Sequence, residues 1–416
     1  MARRIIEQTQ GQGLWNRSRY GLFMAGLLAF LWVTAGLSAP AALAQGNSPV
    51  AAVDDDGRVY VAAWDSAASP AAFANFRQIG SVAATNAARG LALADFDRDG
   101  DADLIVGCLR SGTLYFYSFE NDGTNQFTFG GLKGTMTASG AYAEDMAAGD
   151  FNNDGHMDFL ANSDAATVAL FLGDGKGNFT KLADMNLGTA GRGLDAADFN
   201  LDGNLDFVRA KYSSGTVTVY LGNGDGTFNT AAPVAVGTPG TDPYGVAAGD
   251  FNGDGIVDVI AIAGSSGDTR LYKGAWDGTT LSFTDQGLIA SLDPGTHASY
   301  DAFDYNGDGI LDLVASDYTN KDLYFYPGNG DGTFGARVKI NPFDTTGNAL
   351  AIAAPPSLPP AGVPTALVAP AAAVIAKGGS VDFDGSGSSD ADGTIASWLW
   401  TFGDGGTDNL ADPPGH

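Results

Sequence analysis

The chain has 416 residues, 48 of them Asp or Glu and only 21 Lys or Arg, for a formal charge of −27 at pH 7. Such a polyanion repels phosphate backbones and anionic lipid, so nucleic acid is set aside as a partner. Its 44% hydrophobic content and 24 Phe still provide for a large core, and the acidity does not signal disorder.

In chain order, residues 1–44 read as an export signal. Arg3, Arg4, Arg17 and Arg19 precede an apolar stretch from Leu22 to Leu37, and Ala42-Leu43-Ala44 ahead of Gln45 is a small-x-small cleavage pattern. The apolar run falls short of the ~20 residues that span a bilayer. Cleavage after Ala44 is expected, with no stable membrane span afterwards; the alternative is a retained anchor. Localisation is then secreted or cell-surface, and bacterial.

Residues 49–353 are dominated by short runs rich in Val, Phe and Tyr, punctuated by Gly, Asp and Asn, which is strand and turn composition. Pro49–Val53, Arg58–Ala63 and Phe76–Ile79 look like second, third and fourth strands lacking a first. Five units follow. In the clearest, Tyr244–Gly249, Val259–Ala263, Thr269–Lys273 and Leu281–Phe283 are four predicted strands, with an acidic loop between the first two. The corresponding third strands are Thr113–Tyr117, Thr167–Phe171, Thr216–Tyr220 and Asp322–Tyr326. Turns such as Gly222–Phe228 and Gly328–Phe334 carry Asn-Gly and Asp-Gly, which permit the positive backbone angles of tight hairpins. Asn348–Ala353 resembles a first strand with nothing after it.

Four short strands recurring about every 50 residues match one blade of a β-propeller. Joining the two incomplete end sets makes one further blade. The expected fold is all-β, a six-bladed β-propeller closed by its own ends. Such closure removes an open seam of unpaired backbone groups.

The acidic loops carry the chemistry. Each reads Asp-x-Asp/Asn-x-Asp-Gly-x-x-Asp and runs into an apolar strand. Calcium takes six to eight oxygens from a compact acidic turn. In the first loop Asp95, Asp97, Asp99 and Asp103 can converge, Gly100 lets the backbone bend, and the Asp101 carbonyl adds an oxygen. The second offers Asp150, Asn152, Asp154 and Asp158 with the His156 carbonyl; the third, Asp198, Asn200, Asp202 and Asp206 with the Asn204 carbonyl. The fourth offers Asp250, Asn252, Asp254 and Asp258 with the Ile256 carbonyl; the fifth, Asp304, Asn306, Asp308 and Asp312 with the Ile310 carbonyl. About five structural Ca2+ ions are expected, in strand-loop-strand sites. Zinc and iron would want imidazole or thiolate at ligand spacing, which the pattern lacks. Phe96, Phe151, Phe199, Phe251 and Tyr305, at the second loop position, are expected to pack between blades. Cys108, the one cysteine, lies in the predicted buried strand Leu104–Leu109 and reads as a small core residue. With no internal disulfide possible, metal is the natural source of rigidity.

On these five loops and their flanking strands, the segment 49–353 resembles the FG-GAP/VCBS repeats of integrin-like propellers and bacterial surface proteins. That resemblance implies a calcium-bearing ring that in many members is a binding scaffold and in some an enzyme. The chain departs from the integrin pattern in reading as six blades, not seven.

Pro355, Pro356, Pro359 and Pro360 make 354–363 a stiff linker. Beyond it, Gly379–Asp390 and especially Trp400-Thr-Phe-Gly-Asp-Gly405 are similar to the PKD family of immunoglobulin-like β-sandwiches. The segment 364–416 is shorter than such a sandwich, so a partial domain is expected, with Trp400 entering its core. The resemblance implies a spacer or interaction module.

The functional expectation is a secreted or cell-surface calcium-binding propeller, a non-catalytic scaffold recognising an extracellular protein or polysaccharide. The alternatives are an extracellular polysaccharide lyase or glycosidase and a purely structural module of a larger surface protein. No catalytic residue is assigned. The best leftover polar cluster is His297 near Tyr300 and Asp301; it could assist proton transfer at a rim, but it reads as an ordinary loop histidine.

Overall fold

The structure, a computed structural model, describes residues 50–353 apart from 55, 66–71, 83–85, 123–125, 138–142, 164, 265, 292–298, 318–321 and 341–348, together with 400–401 and 407–408. The leader, the proline linker, His297 and most of the PKD-like segment therefore lie outside the described residues. Leu43–Pro360 forms one compact unit. Of the other, the described part is Trp400–Thr401 paired antiparallel with Thr407–Asp408.

In the larger unit the described strands form six antiparallel sheets, five of four strands and one of five. The first complete blade runs Asn86–Ala94, Asp103–Arg110, Thr113–Asn121 and Phe127–Thr137. The second runs Ala143–Gly149, Asp158–Ser163 and Thr167–Gly173, with Phe179–Lys181 and Met185–Asn186 both on its outer edge. Leu194–Ala197, Asp206–Lys211, Thr216–Tyr220 and Val234–Gly237 make the third. Pro243–Gly249, Asp258–Ala263, Asp268–Trp276 and Leu281–Ser291 make the fourth, and Tyr300–Phe303, Asp312–Asp317, Asp322–Tyr326 and Val338–Ile340 the fifth.

The sixth blade is built from both ends, as expected. Ala349–Ala353 pairs antiparallel with Val50–Asp54, matching Ala51 with Ala353 and Ala52 with Ile352. Arg58–Asp65 and Ala72–Ser81 complete that sheet. The innermost strands then contact one another in sequence, from 86–94 through 143–149, 194–197, 243–249, 300–303 and 349–353 back to 86–94. The ring is closed.

The strand pattern follows from this stacking. A blade has a neighbour on each face, so its second strand is buried on both; Asp158–Ser163 and Asp258–Ala263 are buried at every residue. Such strands read as unbroken apolar runs instead of alternating ones. Successive side chains enter opposite seams. Val259 packs with the third blade and Ile260 with the fifth; Ala51 packs with the first blade and Ala52 with the fifth. The described apolar core is thus divided into six clusters, one per seam. Phe96, Phe151, Phe199, Phe251 and Tyr305 each insert into the seam ahead of their own blade and are at most 2% exposed. Cys108 is fully buried, and burial pushes its thiol up to about 11, so it is a core residue without nucleophilic character at neutral pH.

Innermost strands leave backbone amides facing the axis, and two carboxylates supply partners across the seams. Asp145 accepts from its neighbour's amide at Met146 (3.0 Å) and, across the seam, from Leu194 (3.0 Å). Asp195 accepts from Ala196 and, across the next seam, from Ala248, both at 2.7 Å. Burial, the dominant cause, raises the Asp195 carboxyl to about 6 against those bonds. A folded pKa above the ordinary 3.8 favours the protonated fold, so this contribution is complete below about pH 4 and lost as pH rises through about 6. In chelator, thermal or urea unfolding of D195N should therefore gain about 1–3 kcal/mol on the wild type between pH 4 and pH 7. A stability difference that stays flat with pH would show that Asp195 does not titrate in this way.

Candidate functional site

All five acidic loops join the first and second strands of their blades and share one backbone path. The fourth position is left-handed in each, at Arg98 (φ 65°), Asn153 (58°), Leu201 (55°), Gly253 (73°) and Gly307 (75°). The sixth, always Gly, is left-handed again, from 83° at Gly155 to 98° at Gly100. That double turn curls the side chains of positions one and five, and of position three in every loop but the fourth, onto the loop's own amides. The Asp95 carboxylate accepts from Asp99 and Gly100, both at 3.1 Å. Asp150 repeats this with Asp154 and Gly155, Asp198 with Asp202 and Gly203, Asp250 with Asp254 and Gly255, and Asp304 with Asp308 and Gly309. Position five accepts from the amide at position seven: Asp101, His156, Asn204, Ile256 and Ile310 donate at 2.8–3.0 Å. In the first loop, carboxylate oxygens of Asp95, Asp97 and Asp99 lie within 4.8 Å of one another.

The ninth carboxylate has a second task that the motif does not announce. Each is buried, and each reaches the end of the third strand, accepting from Asn121 (to Asp103, 2.9 Å), Gly173 (to Asp158, 2.8 Å), Gly222 (to Asp206, 2.7 Å), Gly274 (to Asp258, 2.9 Å) or Gly328 (to Asp312, 2.9 Å). In the first three loops its other oxygen accepts from the amide at position two. Position nine therefore ties loop, second strand and third strand together, and its oxygens retain further lone pairs.

Neighbouring loops also touch. The side chain at position four meets that at position seven of the next loop in two cases, Arg98 Nη1 with His156 Nδ1 at 3.4 Å and Asn153 Nδ2 donating to Asn204 Oδ1 at 2.8 Å. Hairpins between third and fourth strands lie on the same side of the ring. Gly177, Gly226 and Gly332 donate to the carbonyls of Phe96, Phe151 and Phe251 in the preceding blade's loop, at 2.8–3.1 Å.

The donor set fits a hard divalent cation. Burial first, and neighbouring carboxylates beside it, push Asp103, Asp158 and Asp312 to about 7, Asp206 to about 8, and Asp198 and Asp258 to about 6. Keeping these groups ionised at neutral pH is costly by themselves, and a bound cation would reverse that cost. The side-chain donors are carboxylate and amide oxygens, suited to calcium rather than to a soft metal.

The loops differ in one respect. The residue preceding the amide that bonds to the ninth carboxylate is Glu120, Leu172, Leu221, Lys273 or Pro327 in loop order. Glu120 adds negative potential at Asp97, although Lys133 also pairs with it at 3.2 Å. Lys273 does the reverse: its Nζ lies 2.8 Å from Asp254 Oδ2 and 3.5 Å from Asn252 Oδ1.

A closed six-bladed ring with an acidic strand-loop-strand turn in five of its blades defines a repeat-built propeller module. The FG-GAP-like repeat model matches at 105–161, 150–209, 198–261, 250–315 and 304–354, more than half of the chain, and the chain belongs to that family. A PKD domain model matches 362–416. No curated protein matches the chain. Similar solved structures include that of an Agrocybe aegerita lectin recognising non-reducing terminal N-acetylglucosamine, at 19% identity over 71% of this chain and 80% of that one, with a TM-score of 0.43. Another is a protein from Lactobacillus plantarum, at 13% identity over 71% and 82%, with a TM-score of 0.48.

Proposed function

We propose that the protein is a secreted or cell-surface recognition scaffold whose propeller is braced by calcium and which binds an extracellular protein or polysaccharide without catalysing a reaction on it. The observation that carries this reading is the fivefold repetition of one loop geometry, which concentrates oxygen donors at the same corner of each complete blade. Asp95, Asp97 and Asp99, with their counterparts in the other loops, would hold the ions; an ion bound there would set the loop carboxylates in place. FG-GAP-like repeats and PKD domains are typical of extracellular proteins, in keeping with that setting.

Exposed apolar surface on the first complete blade gives recognition a physical basis. Phe129 and Leu132 are 58% and 52% exposed. They share a sheet face with their cross-strand partners, the part-buried Tyr117 and the buried Phe119, and Tyr117 stacks on Tyr115 at 6.3 Å between centroids. Clustered exposed apolar groups on a soluble fold mark contact surfaces. Screening the calcium-loaded chain and the variant F129A/L132A against glycan and extracellular-protein arrays tests the reading. Saturable binding by the wild type, reduced at least about tenfold in the variant, is expected, one decade corresponding to ~1.4 kcal/mol. Turnover of a polymer substrate, unaffected by that double substitution, would replace the scaffold with an enzyme.

A further inference from the structure

We propose that the fourth loop is neutralised from within: the Lys273 ammonium occupies the cation's place beside Asp254 and Asn252, and the chain takes up divalent ions at its other four loops only. This rests on the cation reading given under Proposed function and sharpens it. The ammonium contacts two of the side chains that would coordinate a metal, at positions five and three of the loop. No equivalent is available to the other loops from that position, because Leu172, Leu221 and Pro327 carry no charge and Glu120 carries the opposite one. All five residues are placed alike, each directly before an amide bonded to its ninth carboxylate.

Physics favours exclusion over sharing. A monovalent ammonium and a divalent ion a few ångströms apart repel strongly, and the loop cannot satisfy both with one set of oxygens. Asn252 also donates from Nδ2 to Asp258 Oδ2, at 2.5 Å, as Asn306 does to Asp312 in the fifth loop, so the ammonium and not this bond sets the fourth loop apart. The first loop lies at the other extreme in charge, with Asp97 in place of Asn and Glu120 alongside, the latter paired with Lys133 at 3.2 Å. A graded ring follows: one loop self-sufficient, the others dependent on the calcium of the medium.

The test is the metal content of the full chain after equilibrium dialysis against millimolar calcium. About four ions per chain are expected for the wild type, about five for K273L, which copies Leu172 and Leu221, and about three for L221K. Five ions in the wild type, or an unchanged count in K273L, would overturn the assignment while leaving the cation reading intact. A count of zero would remove both. Melting gives an independent readout: K273L, or K273Q should the leucine variant not fold, should lose stability in chelator and recover it in saturating calcium. Equal losses in both conditions would make Lys273 a purely structural residue and overturn the proposal.

Discussion

Chelation of divalent ions is expected to lower the melting temperature of the chain by on the order of 10–20 °C. A ligand bound only to the folded state adds RT ln(1 + [L]/Kd), or about 2.7 kcal/mol for each site held at a hundred times its Kd. Several such sites together, at roughly 1.5–2 °C per kcal/mol for a domain of this size, give a shift of that order. The loop carboxylates set its direction. Burial raises Asp103, Asp158, Asp206 and Asp312 to between about 7 and about 8, so in chelator they ionise near neutral pH at the expense of the fold. The loss is therefore expected to shrink as pH falls below about 6, where protonation replaces the metal. Differential scanning calorimetry with calcium and with chelator, at pH 5 and pH 8, measures both effects. An identical melting temperature in all four conditions would deny the ions a structural role.

Replacement of Arg209 by methionine is expected to destabilise the propeller by about 2–5 kcal/mol. The side chain is fully buried, and its pKa is drawn down by burial to about 10, still charged at neutral pH. From the second strand of the third blade it crosses the seam, donating from Nε to Asn162 Oδ1 (2.9 Å), from Nη1 to the Thr189 carbonyl (2.9 Å) and from Nη2 to the Ala165 carbonyl (3.0 Å). Two effects oppose each other. A buried charge carries a desolvation cost that an apolar residue of similar volume removes. Yet methionine leaves three oxygens without their charged donor, and each such loss costs about 1–3 kcal/mol. The second effect is larger because all three acceptors remain in place after the swap. Urea unfolding of R209M should show an earlier midpoint; an unchanged or later one would mean that desolvation governs the site.

Much of the architecture is legible in the sequence because a propeller is written locally. Each blade is four neighbouring strands, so Thr167–Phe171 or Val259–Ala263 can be recognised without knowing its partners in space. The pairing of the chain ends is legible for a related reason: the strands missing before Pro49 and after Ala353 complement each other. The acidic loops announce their oxygens by type and spacing. Less legible is what crosses between blades. Nothing in the motif marks the left-handed backbone at Arg98, Asn153 and Leu201, since only the glycine of position six advertises a positive φ. The tie from the ninth carboxylate to the third strand depends on a contact 15 to 18 residues away. Lys273 reads as an ordinary strand lysine, and its proximity to Asp254 emerges only when the third strand is laid beside the loop. Arg209, Asp145 and Asp195 escape for the same reason: their partners across the seams lie on another blade, 20 to 53 residues distant.

The most direct measurement is anomalous scattering from crystals of the full chain soaked in a calcium-mimicking lanthanide. Peaks about 2.3–2.6 Å from oxygens of Asp95, Asp97 and Asp99, and from their counterparts in the second, third and fifth loops, are the expected result. Ordered loops with no peak at any of them, under saturating ion, would contradict the account.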